Sequence, residues 1–162
     1  MRVVVVADTH VPDHAPALPA PLVAALARAD VILHAGDVTD AAVLEEMAGY
    51  APVHAALGNN DRIAVRRWGA RESQIVEADG VRIGLVHDAG PRLGRGRRMR
   101  RLFPQADLVV FGHSHIPLDV VEDGLRLFNP GSPTWKRRQP APTYGILDVE
   151  DGRVHARIVP LG

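Results

Sequence analysis

The 162-residue chain contains no cysteine, which removes thiolate metal sites, disulfide frameworks and thiol nucleophiles together. Any metal ligand must then be a carboxylate, an imidazole or an amide. A surplus of charge is lacking too, since 19 basic residues balance 19 acidic ones. No global field therefore draws the protein to nucleic acid or to an anionic membrane, and affinity for anions must be local. Lysine is almost missing: Lys136 is the one lysine among those 19 basic residues. The arginine bias either suits bidentate phosphate binding or reflects genome composition. Long hydrophobic runs, internal repeats and low-complexity tracts are absent as well. One arginine and a short valine run precede Asp8, too brief for a signal sequence or a membrane span, so a cytoplasmic protein is expected.

What is present is a hydrophobic content of 46%, enough for one domain over residues 1–162 to bury a core without covalent staples. Six apolar runs each stop at a polar residue. They are VVVVA before Asp8-Thr9-His10, VILHAG before Asp37, VHAALG before Asn59, IGLV before His87, LVVFG before His113-Ser114-His115, and LRLF before Asn129-Pro130-Gly131-Ser132. Such runs read as buried parallel or mixed strands, and ligands in open α/β sheets gather beyond the strands' carboxyl ends. Strands at 2–7, 31–34 and 53–57 alternate with helices at about 21–28 and 40–48, the second capped by Thr39 or Asp40. A helix at 92–102 and a strand at 107–111 follow. The pairs Asp79-Gly80, Asp123-Gly124 and Asp151-Gly152 separate strand-like runs as hairpin turns would, the last two flanked by strands at 118–122 and 125–128 and at 143–149 and 153–159. Parallel units first and hairpins last predict two stacked sheets covered by helices.

The polar ends of these runs carry the chemistry. Two cations about 3.5 to 4 Å apart can activate a shared hydroxide against a phosphoryl centre, and they need a bridging carboxylate. Asp8 and His10 stand two residues apart, Gly36 lets the backbone turn before Asp37, and His113 and His115 straddle Ser114. Each pattern alone is weak, because a histidine near a strand end is more often packed or capping. Their conjunction carries the inference: Asp, His, Asp, Asn, His, His and His follow five separate apolar runs.

In these motifs the chain resembles the calcineurin-like metallophosphoesterase superfamily, whose pattern is D-x-H, G-D, G-N-H-[DE], H and G-H-x-H, and most of all its small YfcE and Vps29-like phosphodiesterase branch. The resemblance implies a four-layer α-β-β-α sandwich of two mixed β-sheets flanked by helices. It implies that Asp8, His10 and His115 hold one divalent metal, that Asn59, His87 and His113 hold the other, and that Asp37 bridges them. Asp37, Asn59 and His113 are thereby implied in catalysis. The implied activity is hydrolysis of phosphate esters, by in-line attack of the hydroxide between the metals. Manganese is the expected metal for this hard, mixed donor set, with zinc, iron or nickel as alternatives.

The chain departs from the pattern at Gly58-Asn59-Asn60-Asp61, where the family's third residue is a histidine that protonates the leaving oxygen. Asn60 cannot supply a proton at neutral pH. Substrates with an acidic leaving group are therefore expected, phosphodiesters before simple monoesters, or else a replacement acid such as His14. Asn60, His14, Arg95 and Arg98 are the candidate substrate contacts, the two arginines chosen from six between Arg92 and Arg101. Charge runs usually face water, so a solvated helix face competes with that role. Asp88 either bonds an imidazole or faces solvent, residues 129–132 bind anions or buttress the metal-bound histidines, and His34, His54 and His155 read as packed or surface residues. Trp135 marks a partner surface or a loop lid. A phosphomonoesterase or nucleotidase, and a non-catalytic scaffold of the retromer-subunit type, are the competing functions. A small-molecule ester is the expected partner, with no nucleic-acid duplex and no membrane, and a homo-oligomer is compatible with the sequence.

Overall fold

Strand β1 (Arg2–Val6) is an unbroken valine run because both of its faces are buried. Val3 and Val5 point into one apolar cluster while Val4 and Val6 point into another, as the period-two geometry of a strand requires. In this computed structural model, which describes residues 1–162, the chain continues through α1 (Ala20–Leu26), β2 (Val31–His34), α2 (Ala41–Ala48), β3 (Val53–Ala55), α3 (Ile63–Trp68), β4 (Ser73–Ala78) and β5 (Val81–Val86). There follow α4 (Arg95–Leu102), β6 (Leu108–Val110), β7 (Leu118–Glu122), β8 (Leu125–Asn129), β9 (Thr143–Glu150) and β10 (Arg153–Pro160).

The strands form two five-stranded sheets, ordered β10-β9-β1-β2-β3 and β4-β5-β6-β8-β7. β1, β2 and β3 run parallel, joined by helical crossovers, with β9 and β10 added antiparallel. β5, β6 and β8 are likewise parallel, while β4 and β7 close the edges antiparallel. The inner faces meet through Val3, Val5, Leu33 and Leu147 of one sheet and Ile83, Leu85, Leu108 and Phe128 of the other. Helices α1 and α2 place Leu22, Leu26, Leu44 and Met47 on the outer face of the first sheet. Met99 of α4 and Phe103 just beyond it cover the second. The expected four layers of two mixed sheets flanked by helices are present, and no helix is long and apolar enough to cross a membrane.

Local chemistry sets most boundaries. The side chain of Asp40 accepts a 3.0 Å bond from the Ala42 amide and so caps α2. Each Asp-Gly pair has positive φ at both residues, 44° and 81° at Asp79-Gly80 for example, the conformation of a tight hairpin turn. Three readings need correction. α4 begins at Arg95 rather than 92, because Gly94 takes a left-handed φ of 74° ahead of it. β3 stops at Ala55, beyond which Leu57 donates to the Arg71 carbonyl. The helix α3 has no counterpart in the sequence reading: it spans six residues, buries only Val65 and lacks a side-chain cap, too little pattern to register.

Candidate metal centre

Because β1, β2 and β3 of one sheet and β5, β6 and β8 of the other are parallel within their sheets, they deliver their carboxyl ends to one rim, and the two sheets are tied together there. The His113 amide donates to Asp8 Oδ2 at 3.0 Å, and His87 Nδ1 donates to the Ala35 carbonyl at 2.7 Å. The backbone bends sharply at this rim, with left-handed φ values of 54° at Asp8, 44° at His10, 54° at Asp37, 71° at His113 and 61° at His115. Non-glycine residues rarely adopt this region, and such strain gathers at functional sites. Two glycines make the approach possible. A Cβ on Gly58 would lie 2.1 Å from the Asp37 amide nitrogen, and one on Gly36 would lie 2.6 Å from His87 Nδ1.

All seven residues expected as ligands converge. In one cluster, His115 Nε2 lies 3.5 Å and His10 Nε2 4.0 Å from Asp8 Oδ1. In the other, Asn59 Oδ1, His87 Nε2 and His113 Nδ1 lie 3.0, 3.2 and 3.3 Å from one another. Asp37 Oδ2 is 3.5 Å from both His10 Nε2 and His87 Nε2 and so stands between the clusters. Asp8 also groups with Asp37 and His87 within reach of a single ion.

These donors fit divalent cations. Asp8 Oδ1, His10 Nε2 and His115 Nε2 are buried without a hydrogen bond, a costly state unless a cation answers them. The Trp135 carbonyl accepts from His115 Nδ1 at 2.7 Å, so His115 Nε2 presents a lone pair, and burial lowers the pKa of that ring to about 4. The Ala35 carbonyl fixes His87 in the same way. Metal–nitrogen bonds of about 2.0–2.1 Å set neighbouring ligand atoms about 2.9 to 3.3 Å apart, the spacing of the Asn59, His87 and His113 donors. Burial pushes the Asp8 carboxyl up to about 7. Burial also opposes ionisation of Asp37, but the neighbouring His87 imidazole and the hydrogen bonds from Asn60 outweigh it and hold that carboxyl well below its usual range. His87 is raised, since Asp37 and Asp8 overcome the opposing effect of burial. His10 is lowered by burial.

The candidate substrate contacts fare differently. Asn60 is turned onto Asp37: its amide nitrogen donates to Oδ1 at 2.9 Å and its Nδ2 to Oδ2 at 2.8 Å, so it orients the central carboxylate. Arg95 is held by Glu122 of β7 through bonds of 2.6 and 3.1 Å. Arg98 donates to the carbonyls of Ala89, Pro91 and Leu93, closing the loop after His87. Both guanidinium groups are committed away from the rim. His14 does sit at the mouth, stacked on Trp135 at 3.6 Å and edge-on to His10 at 5.4 Å.

Supporting residues complete the rim. Asn129 Nδ2 donates to the Gly112 carbonyl, and Ser132 Oγ donates to the Asp8 carbonyl at 2.7 Å, so residues 129–132 buttress the ligand loops. His34 is packed beneath Thr9, its pKa brought down to about 3 by burial, while His54 is half-buried and His155 exposed. Asp88 is exposed and caps the Gly90 amide, with its other oxygen 3.8 Å from His113 Nε2. Asp61 was missed. Its carboxylate accepts from the amides of Asp37, Thr39 and Gly58 at 3.1, 2.7 and 2.6 Å, binding two ligand loops together; the acidic fourth position of the G-N-H-[DE] pattern was the available signal. A cleft of about 410 Å³ opens beside Asn59, His87 and His113, its lining mostly polar and including Arg62, Arg66 and Glu72 besides the apolar Leu57, Ile63 and Val86.

Residues 1–152 match the family described as the calcineurin-like phosphoesterase superfamily domain. A probable metallophosphoesterase of Methanothermobacter thermautotrophicus is 33% identical over 166 residues, covering 100% of this chain and 94% of the relative. Among solved structures, Vps29 of Entamoeba histolytica complexed with zinc has a TM-score of 0.78 at 24% identity, with 99% of each chain covered. A structure described as a novel archaeal phosphodiesterase has a TM-score of 0.74 at 23% identity, covering 98% of this chain and 100% of that one. At those identities the two structures speak for the fold, whereas the family match and the relative extend over the rim residues as well. The chain belongs to the calcineurin-like phosphoesterase superfamily.

Proposed function

We propose that this protein is a phosphodiesterase working with two divalent cations, Asp8, His10 and His115 holding one, Asn59, His87 and His113 the other, and Asp37 shared between them. One observation carries the reading: buried, unpartnered donor atoms of Asp8, His10 and His115 face a common space on a strained rim. Imidazole, carboxylate and amide donors without thiolate favour manganese. When bound, such cations supply Lewis-acid stabilisation of charge on phosphoryl oxygens and lower the pKa of water at the site.

The chain's own residues prepare that chemistry. Asn60 pins both oxygens of Asp37, and backbone carbonyls fix the tautomers of His87 and His115. The cleft beside His113, about 410 Å³ and mostly polar in its lining, has room for one ester arm. No imidazole occupies position 60 to protonate a leaving oxygen, which favours esters whose leaving group is already acidic. Metal-stripped protein reloaded with manganese should release nitrophenol from bis-p-nitrophenyl phosphate faster than from p-nitrophenyl phosphate. Absence of metal-stimulated release from either ester would overturn the reading in favour of a scaffold; faster monoester turnover would favour a phosphomonoesterase.

A further inference from the structure

Arg95 and Arg98 are committed elsewhere, so neither offers its guanidinium to a substrate's anionic oxygens at the rim. We infer that Arg137 is the group that does, a phosphate clamp held beside the metal centre by stacking on Trp135. The inference rests on the phosphoesterase reading above and names its substrate contact.

The geometry begins with a tethered loop. Thr134 Oγ1 donates to the Thr9 carbonyl at 2.6 Å, the Trp135 amide donates to Ser132 Oγ at 2.9 Å, and the Trp135 carbonyl receives His115 Nδ1. The Trp135 backbone is thus fixed to the loops that carry Asp8, His10 and His115. Its ring stands edge to edge-or-face with two candidate ligands, 5.3 Å from His10 and 5.1 Å from His115. His14 stacks on the indole at 3.6 Å, and the Arg137 guanidinium lies over the same ring system, 4.9 Å from the ring centroid.

Stacking is what makes this arginine available. Arg62, Arg66, Arg95 and Arg126 are each neutralised by a carboxylate. Arg137 is exposed and is held through its π face, so its N–H edges are not consumed by protein acceptors. A guanidinium in this state is permanently charged and offers a planar fork matched to two phosphate oxygens. Its backbone is strained, with φ at 50°, a conformation that arginine seldom adopts without a reason.

Arg137→Gly is the decisive variant, because glycine adopts the positive φ found there without strain while the guanidinium is removed. Inorganic phosphate is titrated calorimetrically into metal-free and manganese-loaded wild type, Arg137→Gly and Arg137→Lys, with manganese stoichiometry and KM for bis-p-nitrophenyl phosphate measured alongside. We expect phosphate affinity to fall about tenfold or more in Arg137→Gly and less in Arg137→Lys. KM should rise by a similar factor, with unchanged manganese stoichiometry. Equal phosphate affinity in wild type and Arg137→Gly, or no phosphate binding by either, overturns the clamp. Phosphate binding that Arg137→Gly abolishes, in a protein that hydrolyses no ester, would uphold the clamp while refuting the phosphodiesterase reading.

Discussion

Replacing Asp8 by Asn should stabilise the metal-free protein and at the same time weaken its response to metal. Asp8 is fully buried, its Oδ1 lacks a partner, and burial raises its carboxyl from 3.8 to about 7. A carboxyl displaced that far destabilises the folded state by roughly 4 kcal/mol once the pH exceeds both values, taken as a ceiling. The sign follows from protonation. Below about pH 4 the group is neutral whether folded or unfolded and the penalty vanishes; it grows as pH rises and is complete above 7. Asparagine removes the charge. Its oxygen can keep the bond from the His113 amide, now 3.0 Å from Oδ2, and its NH2 would face the His115 Nε2 lone pair, 3.5 Å from Oδ1. The left-handed φ of 54° suits Asn as well as Asp.

The assay is thermal unfolding in chelator at pH 4.5 and pH 8, then at pH 8 with manganese. For a chain of this size, about 2 to 4 kcal/mol corresponds to a rise in Tm on the order of 5–15 °C. Asp8→Asn should show that rise at pH 8 and little of it at pH 4.5. Added manganese should raise the wild-type Tm by more than that of the variant, which keeps the Asn59, His87 and His113 donors but lacks the Asp8 carboxylate. A variant no more stable than wild type at pH 8 in chelator would refute the claim that this carboxylate is buried in wait for a cation.

Asp61→Ala should strand the amides of Asp37, Thr39 and Gly58 and cost roughly 3 kcal/mol, read as a lower urea midpoint, with weaker manganese binding. Asn60→His should raise monoester turnover relative to diester turnover if a proton donor is what the site lacks, which parallel assays with the two aryl phosphates will measure. Arg95→Ala should leave KM within about twofold while lowering the unfolding midpoint, because its guanidinium is spent on Glu122 and on the Phe111 face rather than on substrate.

The legible part of this protein is the part governed by local or periodic rules. Strands buried on both faces must be apolar throughout, so the residue at which each run stops marks the sheet's carboxyl rim, and Asp8, Asp37, Asn59, His87 and His113 were visible there. Asp-Gly pairs fix their own turns. Partners fixed by tertiary contact were not visible. Arg95 meets Glu122 across 27 residues and Asp61 meets Asp37 across 24, and nothing within either stretch announces the pairing. Asn60 illustrates the limit best: its sequence position marks a missing acid, whereas its two bonds to Asp37 could be seen only after folding. Arg137 escaped notice for the same reason, since its stack depends on a loop tied to Asp8 and Thr9, over 120 residues away along the chain.

That division explains why the rim can be strained while the sandwich stands. Phe128, Leu33 and Leu85 are sealed between the sheets, where truncation to alanine would cost about 2 to 5 kcal/mol each. The rim lies outside that seal, at strand ends whose positions the core determines. Left-handed backbone at Asp8, His10, Asp37, His113 and His115, together with three orphaned donors, destabilises the rim locally. Glycine at those five strand-end positions would relieve the backbone strain and would also remove the orphaned atoms of Asp8, His10 and His115. A rim that keeps unfavourable geometry at five of seven converging donors is shaped for what binds it, and the pH dependence of Asp8→Asn stability measures how much of that cost a single carboxylate carries.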